Sequence, residues 1–396
     1  ALARFLQLKD KSSYEKEEKG SQSSVKYIKV KAVDAFRTAA SILISCDRLF
    51  CLSLFFGVPL IDRTNTLSNS IRTESVVRNT PSLDEVNAYR AKAPKDAHQA
   101  LEEAMLQRAK AIFEKAQGLQ IVVCWSGGID STALLVCLLR AIDKWEEHAN
   151  CRDQLVIVHD DESISENELF FNTYIHTKIK TIHRNGRTIS ELAMQHTNAL
   201  IITGELGDQL FGSDKCKEAF PSQPLEGYSV EEEYILKSSG VITDSPVEVS
   251  LDEPWEDALV KMLGTKGLLA GTPSQWIEWI KPQIENAPFC IFNLHDMLWW
   301  LNFSCKWQTV SLRCLHDGGA YEPKYGLTGS IVHFYDSRHL ECWACVTDFH
   351  ATKFSDLKDW KTYKEPLKKI IFSYQSDLDY YQNKEKVGSL SLSVSK

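Results

Sequence analysis

The sequence predicts an α/β fold: a parallel sheet flanked by helices, with a largely helical C-terminal half and a small N-terminal extension. Three observations carry that prediction. Strand-like and helix-like runs alternate three times between residues 120 and 205. The strands are continuous apolar runs (IVV, LVIV, ALII) rather than alternating ones, as in sheets covered on both faces. Two strands end in polar, glycine-bearing segments, WSGGIDS and TGELGDQLFG, and such folds bind ligands at the carboxyl ends of their strands.

In chain order, residues 1–95 are an N-terminal extension or small domain without an assigned structure. The apolar run Ala39–Ile61 is long enough to raise the question of a membrane span. Asp47 and Arg48 near its middle would both have to enter the bilayer, so a buried helix followed by an extended segment is expected instead. Residues 96–396 form the main domain, with an α/β core over 96–215 and a mainly helical part over 216–396. The core opens on DAHQALEEAMLQRAKAIFEKAQG, which sets Ala97, Leu101, Met105, Ile112 and Phe113 near one helical face and closes on Gly118. A strand at 121–125 and a helix at 131–142 follow. Next come the strand in QLVIVHDD, a helix over SENELFFNTYIHT, a short strand around Lys180–His183, a helix at 188–197 and a strand at 199–205. Beyond residue 215 the strand signals fade, and WIEWIKPQIENA, NLHDMLWWLNFSCKW and DLKDWKTYKEPLKKIIF read as helices with thick apolar faces.

Bulk composition narrows the classes. With 396 residues, 43% hydrophobic and 10% aromatic, the chain builds a real core and is not wholesale disordered. Its net charge of -8 argues against a nucleic-acid-binding face. The eleven cysteines are odd in number, and several lie inside apolar runs, which suits buried thiols in a reducing cytoplasm better than a disulfide framework. Cys342 and Cys345 form one CWAC pair, read as packed thiols because no second pair completes a zinc site. No signal-peptide pattern opens the sequence, which begins at Ala1.

The hexapeptide SGGIDS carries the chemistry. The first N–H groups of a helix are unpaired and lie at the positive end of its dipole, which makes an anion site. Gly127 and Gly128 remove the side chains that would block a phosphate and allow positive φ, while Ser126 and Ser131 add hydroxyl donors. Asp130 would repel a phosphate unless a cation lay between them, which points to Mg²⁺. No Gly-Lys-Ser/Thr follows, so this is not the Walker pattern.

These residues resemble a family. SGGIDS is similar to the SGGxDS loop of ATP pyrophosphatases, and Gly204-Glu205-Leu206-Gly207-Asp208-Gln209-Leu210-Phe211-Gly212 resembles the GExxDxLFGG segment of their asparagine-synthetase branch, which includes β-lactam synthetases and lasso-peptide cyclases. Looser likenesses are Val332–Asp336 to a VPFLD-like segment, Leu301–Arg313 to a helix with a lysine near its end, and KTYKEPLKKII with NKEKVGS to the C-terminal Lys-Pro-Leu and Lys-Glu segments. The resemblance covers about residues 96–390 and implies an adenine-nucleotide alpha-hydrolase-like fold. It implies ATP and Mg²⁺ as cofactors, and a carboxylate substrate, small molecule or peptide, that attacks the α-phosphorus before an amine displaces AMP. Ser126, Gly127, Gly128, Asp130, Ser131, Gly204 and Glu205 would then bind the nucleotide, and Asp130 and Asp208 the metal. A C-terminal lysine would contact the phosphate: Lys384 by segment match, with Lys386 the close alternative and Lys306 the lysine of the Leu301–Arg313 segment.

Three departures shape the expectation. Residue 1 is Ala rather than a catalytic Cys, and the 95 residues ahead of the match are too few for the family's glutaminase domain. The nitrogen is therefore expected from free ammonia, from a separate glutaminase, or from an amine on the substrate. Gly329 stands where the family has a glutamate that assists amine attack, with Glu322 or Tyr325 as substitutes. Leu206 and Gln209 stand where small and acidic residues are usual. His159, Asp160 and Asp161 end the second strand, and are read either as an adenosine contact or as a strand cap. Trp299, Trp300 and Trp307 are read as core. The alternatives are a tRNA-modifying ATPase of the same superfold, with CWAC as a sulfur or metal site, and a non-catalytic relative. No nucleic-acid partner and no membrane partner is expected.

Overall fold

The computed structural model describes residues 80–212, 253–263, 272–285, 287–304, 330–350 and 364–384. They fall into two compact units. The larger holds residues 80–212, 285, 287–291, 299–304, 330–350 and 364–384, and the smaller 253–263, 272–284 and 292–298.

The larger unit begins with α1 (Leu83–Lys92), opened by a capping box between Ser82 and Glu85, and α2 (Ala97–Ala116), opened by the Asp96 side chain accepting from Gln99 N–H. Helix α2 buries Leu101, Met105, Ala109, Ile112 and Phe113 at helical spacing and stops where Gln117 enters the left-handed region ahead of Gly118. Then follow β1 (Gln120–Cys124), α3 (Ile129–Lys144), β2 (Leu155–His159), α4 (Asp161–Glu166), β3 (Lys180–His183), α5 (Ile189–Gln195), β4 (Ala199–Thr203) and α6 (Gly207–Phe211). The unit ends with β5 (Ile331–His333), α7 (Arg338–Cys345), α8 (Glu365–Gln375) and α9 (Leu378–Asn383).

The five strands form one sheet in the order β3-β2-β1-β4-β5, and every pairing is parallel. This is the expected α/β architecture. Val122, Val156, Val158 and Ile201 lie on one face, packed with Leu192 and Ala193 of α5. By the two-residue period of a strand, Ile121, Val123, Ile157 and Ile202 lie on the other face, and they are fully buried as well. Both faces being dry explains why the strands are apolar without alternation. The chain steps from β1 to β2 in one direction, then returns across the sheet from β3 to β4. Right-handed crossovers therefore put α3 and α5 on opposite faces, and the reversal makes the junction of β1 and β4 the switch point of the sheet. Helices α2 and α8 pack on α3.

Two elements differ from the sequence reading. The expected helix over 165–177 is broken: α4 ends at Glu166, and a three-residue turn and a π-helical turn (Phe171–Ile175) follow. Asn167 causes the break, because it leaves helical geometry and its side-chain oxygen accepts from Phe170 N–H at 3.2 Å. Strand β5 was not expected. It is three residues long, too short to show a period, and it pairs through its backbone with β4. The run Ala39–Ile61, Glu322, Tyr325, Gly329 and Trp307 lie outside the described residues. Among the described residues no helix is long and apolar enough to cross a membrane.

In the smaller unit the helices Trp255–Leu263 and Pro273–Ile284 pack together around buried Trp255, Leu259, Trp276 and Ile280. Trp276 and Trp279 meet edge to face with ring centroids 5.7 Å apart.

Candidate active site

Register places the two motifs side by side. Cys124 of β1 pairs with Thr203 of β4, so Trp125-Ser126 and Gly204-Glu205 leave the sheet level with each other at the switch point. Trp125 N–H donates to Val158 O at 2.9 Å, which prolongs β1 by one bond on its other side.

The SGG loop is braced by hydrogen bonds within it. Ser131 Oγ accepts from Ser126 N–H at 3.1 Å, lies 3.0 Å from Ser126 Oγ and donates to Gly128 O at 3.2 Å. Thr132 Oγ1 donates to Gly127 O and accepts from the indole N–H of buried Trp125 at 3.1 Å. The expected serine donors thus brace the loop itself. Gly128 is the N-cap of α3 and offers no side chain, and the first intrahelical bond is Thr132 N–H to Gly128 O. The N–H groups of Ile129, Asp130 and Ser131 therefore have no helical acceptor.

The glycines differ in purpose. Gly127 has φ +72°, and a Cβ there would overlap Ser163 O and come within 2.6 Å of Glu166 Cβ, so α4 fills the space that a phosphate was expected to use. At Gly128 a Cβ would meet only Ser126 Oγ, at 3.3 Å, so the open side of the cradle is here. Gly204 lets the β4 loop touch α3: its Cβ would stand 3.0 Å from Ser131 N. A Cβ on Gly207 would lie 2.6 Å from the Asp130 carboxyl carbon, so this glycine seats that carboxylate against the second motif.

Asp130 and Asp208 converge on one atom. Lys364 Nζ donates to Asp130 Oδ2 and, at 2.5 Å, to Asp208 Oδ1. Lys364 is 1% exposed. Burial pulls its ammonium towards neutrality, but Asp130 and Asp208 outweigh that and hold it above the ordinary lysine range. The lysine is the residue before α8, in left-handed geometry with φ +65°, where Pro366 just inside the helix favours a start. Around this cluster, Tyr335 O–H donates to Asp130 O at 2.9 Å, and burial together with Asp130 keeps the phenol protonated. Asn302, fully buried, donates to Asp208 O at 2.7 Å and accepts from Gln209 at 3.3 Å.

The other sequence candidates fall as follows. Glu205 N–H donates to Thr203 Oγ1 at 3.4 Å, on the loop between β4 and α6. Lys384 closes α9 and pairs with the Glu166 carboxylate, with its Nζ 3.2 Å from Glu166 O. It therefore flanks Gly127 through Glu166 and is not the cation at the aspartate pair. Lys306 and Lys386 lie outside the described residues. Asp160 caps α4 through Ser163 N–H at 2.7 Å, while Asp161 lies 3.4 Å from His183. His159 is nearly buried at the end of β2, against Phe171 and His183. Cys342 and Cys345 are buried on α7, and burial pushes the Cys342 thiol up to about 11. Trp299 and Trp300 are fully buried.

Lys364 is the residue that sequence reasoning missed. It sits in KTYKEPLKKII, a segment singled out by its resemblance, but four lysines share that stretch and only packing decides which one reaches the two aspartates. No family model, no curated protein and no solved structure matches this chain.

Proposed function

We propose that the chain is an ATP-dependent, AMP-forming carbon–nitrogen ligase that adenylates a carboxylate, releases pyrophosphate and passes the acyl group to ammonia or an amine. The observation that carries this reading is the convergence of two strand-end carboxylates, Asp130 and Asp208, on one cation beside an uncapped helix N-terminus. The donor set fits Mg²⁺: both groups are hard oxygen ligands, and sharing one nitrogen shows that they reach a common point. When bound there, Mg²⁺ would neutralise the triphosphate and the departing pyrophosphate.

The remaining work belongs to the chain. The N–H groups of Ile129, Asp130 and Ser131 present fixed positive dipoles to phosphate oxygens, and the hydroxyl bracing of Ser126 and Ser131 removes the need to reorganise them. A buried ammonium at Lys364 adds a full charge at the same edge. The substrate carboxylate attacks the α-phosphorus, and the amine then attacks the activated acyl carbon. A cytoplasmic setting, with nitrogen from free ammonia, a separate glutaminase or a substrate amine, goes with this reading.

ATP–pyrophosphate exchange with a panel of carboxylates tests it. Exchange is expected with one acid class and should fall by at least about a hundredfold in Asp130→Asn, the scale for losing a preorganised charge at a reacting phosphate. A full panel without AMP or pyrophosphate sinks the ligase reading. One observation favours a non-catalytic relative instead: the aspartate pair is already neutralised in part by Lys364. Absence of ATP binding in the same preparation would select that second reading.

A further inference from the structure

The place between Asp130 and Asp208 is occupied by a side chain of the protein itself. We propose that Lys364 is the resident cation of this pair, that a divalent ion enters only by exchange with its ammonium, and that the metal-free, nucleotide-free chain therefore excludes divalent metal from an otherwise competent carboxylate pair. The inference rests on the metal role assigned to the two aspartates under the proposed function, but not on the ligase activity.

Three observations support it. The first is position. Two oxygens that share one nitrogen at hydrogen-bond distance are within about 6 Å of each other, a span that one bridging ion at about 2.1 Å from each oxygen covers by small side-chain rotations. The ammonium and the ion would use the same oxygens, Asp130 Oδ2 and Asp208 Oδ1, and two cations at that separation repel strongly in a buried setting.

The second is preorganisation of the carboxylates without metal. Asp130 is seated against Gly207, where a Cβ would lie 2.6 Å from its carboxyl carbon. Asp208 is held through its carbonyl by Asn302 at 2.7 Å. Like charges so placed need a counter-cation in the folded chain, and Lys364 supplies one.

The third is the geometry of the lysine. Lys364 is 1% exposed and adopts φ +65°, an uncommon conformation for a residue with a Cβ, immediately before a helix whose Pro366 fixes the start. A surface lysine that pairs by chance keeps ordinary backbone geometry and exposure. Here the backbone is held where the side chain reaches both carboxylates.

The test uses full-length protein stripped of metal and Mn²⁺ alone as the probe, with free Mn²⁺ followed by electron paramagnetic resonance. Wild type is expected to show no site at the pair. Lys364→Met and Lys364→Gln are each expected to gain one site, at least about tenfold tighter than any in wild type, and the gained site should vanish when Asp208→Asn is added. If a neutral variant is unfolded in metal-free buffer, millimolar Mn²⁺ is expected to restore its circular dichroism, and failure to do so overturns the exchange. One Mn²⁺ bound to the pair in nucleotide-free wild type overturns it too, as do folded neutral variants that gain nothing. No arm contains ATP, so a failed ligase reading leaves the result standing.

Discussion

At the scale of single residues, charge and volume decide the site. Replacing Lys364 by Met removes the cation shared by Asp130 and Asp208 and is expected to lower stability by about 2–3 kcal/mol, measured by urea denaturation. That is below the figure for a sealed pair because the Asp208 side chain is 35% exposed and water screens it. The glycines offer a cleaner comparison. Gly118 and Gly127 both have positive φ, but a Cβ on Gly118 meets nothing within 4 Å while one on Gly127 collides with α4. Gly118→Ala is expected to cost about 1 kcal/mol for its backbone alone. Gly127→Ala adds overpacking of about 1–3 kcal/mol, so its urea midpoint should fall at least twice as far. Equal losses would remove the argument that α4 occupies the space at Gly127. From the sequence, Gly127 and Gly128 both looked like room for phosphate; only Gly128 has that room, because the position of α4 is not written in the hexapeptide.

At the scale of elements, short polar ties matter more than surface charge. Asn302 ties the segment 299–304 to α6 through two hydrogen bonds, donating to Asp208 O and accepting from Gln209 Nε2. Asn302→Ala leaves Asp208 O and the Gln209 amide short of partners and is expected to cost about 1–3 kcal/mol. Glu85 binds Arg338 in a two-pronged pair that joins α1 to α7, yet both side chains are more than a third exposed, so Glu85→Ala should cost less than about 1 kcal/mol beyond its cap. Denaturation midpoints that reverse this order would refute the ranking. The elements of the core were legible in sequence wherever a period was long enough to read. Helix α2 shows ten buried positions in twenty residues, and its ends carry Asp96 and Gly118. The break at Asn167 was not legible, since an asparagine inside a helix-like stretch signals a cap only when the neighbouring turn can accept it.

At the scale of the whole molecule, burial sets the behaviour of the thiols. Burial pushes Cys124 and Cys137 up to about 12, and Cys290 is exposed. Iodoacetamide at pH 8 should alkylate Cys290 and spare Cys124 and Cys137 until urea is added, as read by peptide mass spectrometry; labelling of Cys137 in the native chain would contradict its place inside α3. The sign for stability follows from the same shift. The folded state holds these protons more tightly than an unfolded thiol, so their contribution is full below about pH 8.5. It declines from there as pH rises towards about 12, and the urea midpoint should fall over that window. By itself the sequence determined the α/β class, the parallel sheet and the two strand-end motifs, because dry strands and helix stripes leave local periods in the chain. Only the tertiary structure decided that β5 extends the sheet beside β4, and that Lys364 rather than Lys384 meets the aspartates. Those pairings join residues far apart in the chain, such as Asp208 and Lys364 at 156 positions, and such pairings are set by packing rather than by any local pattern.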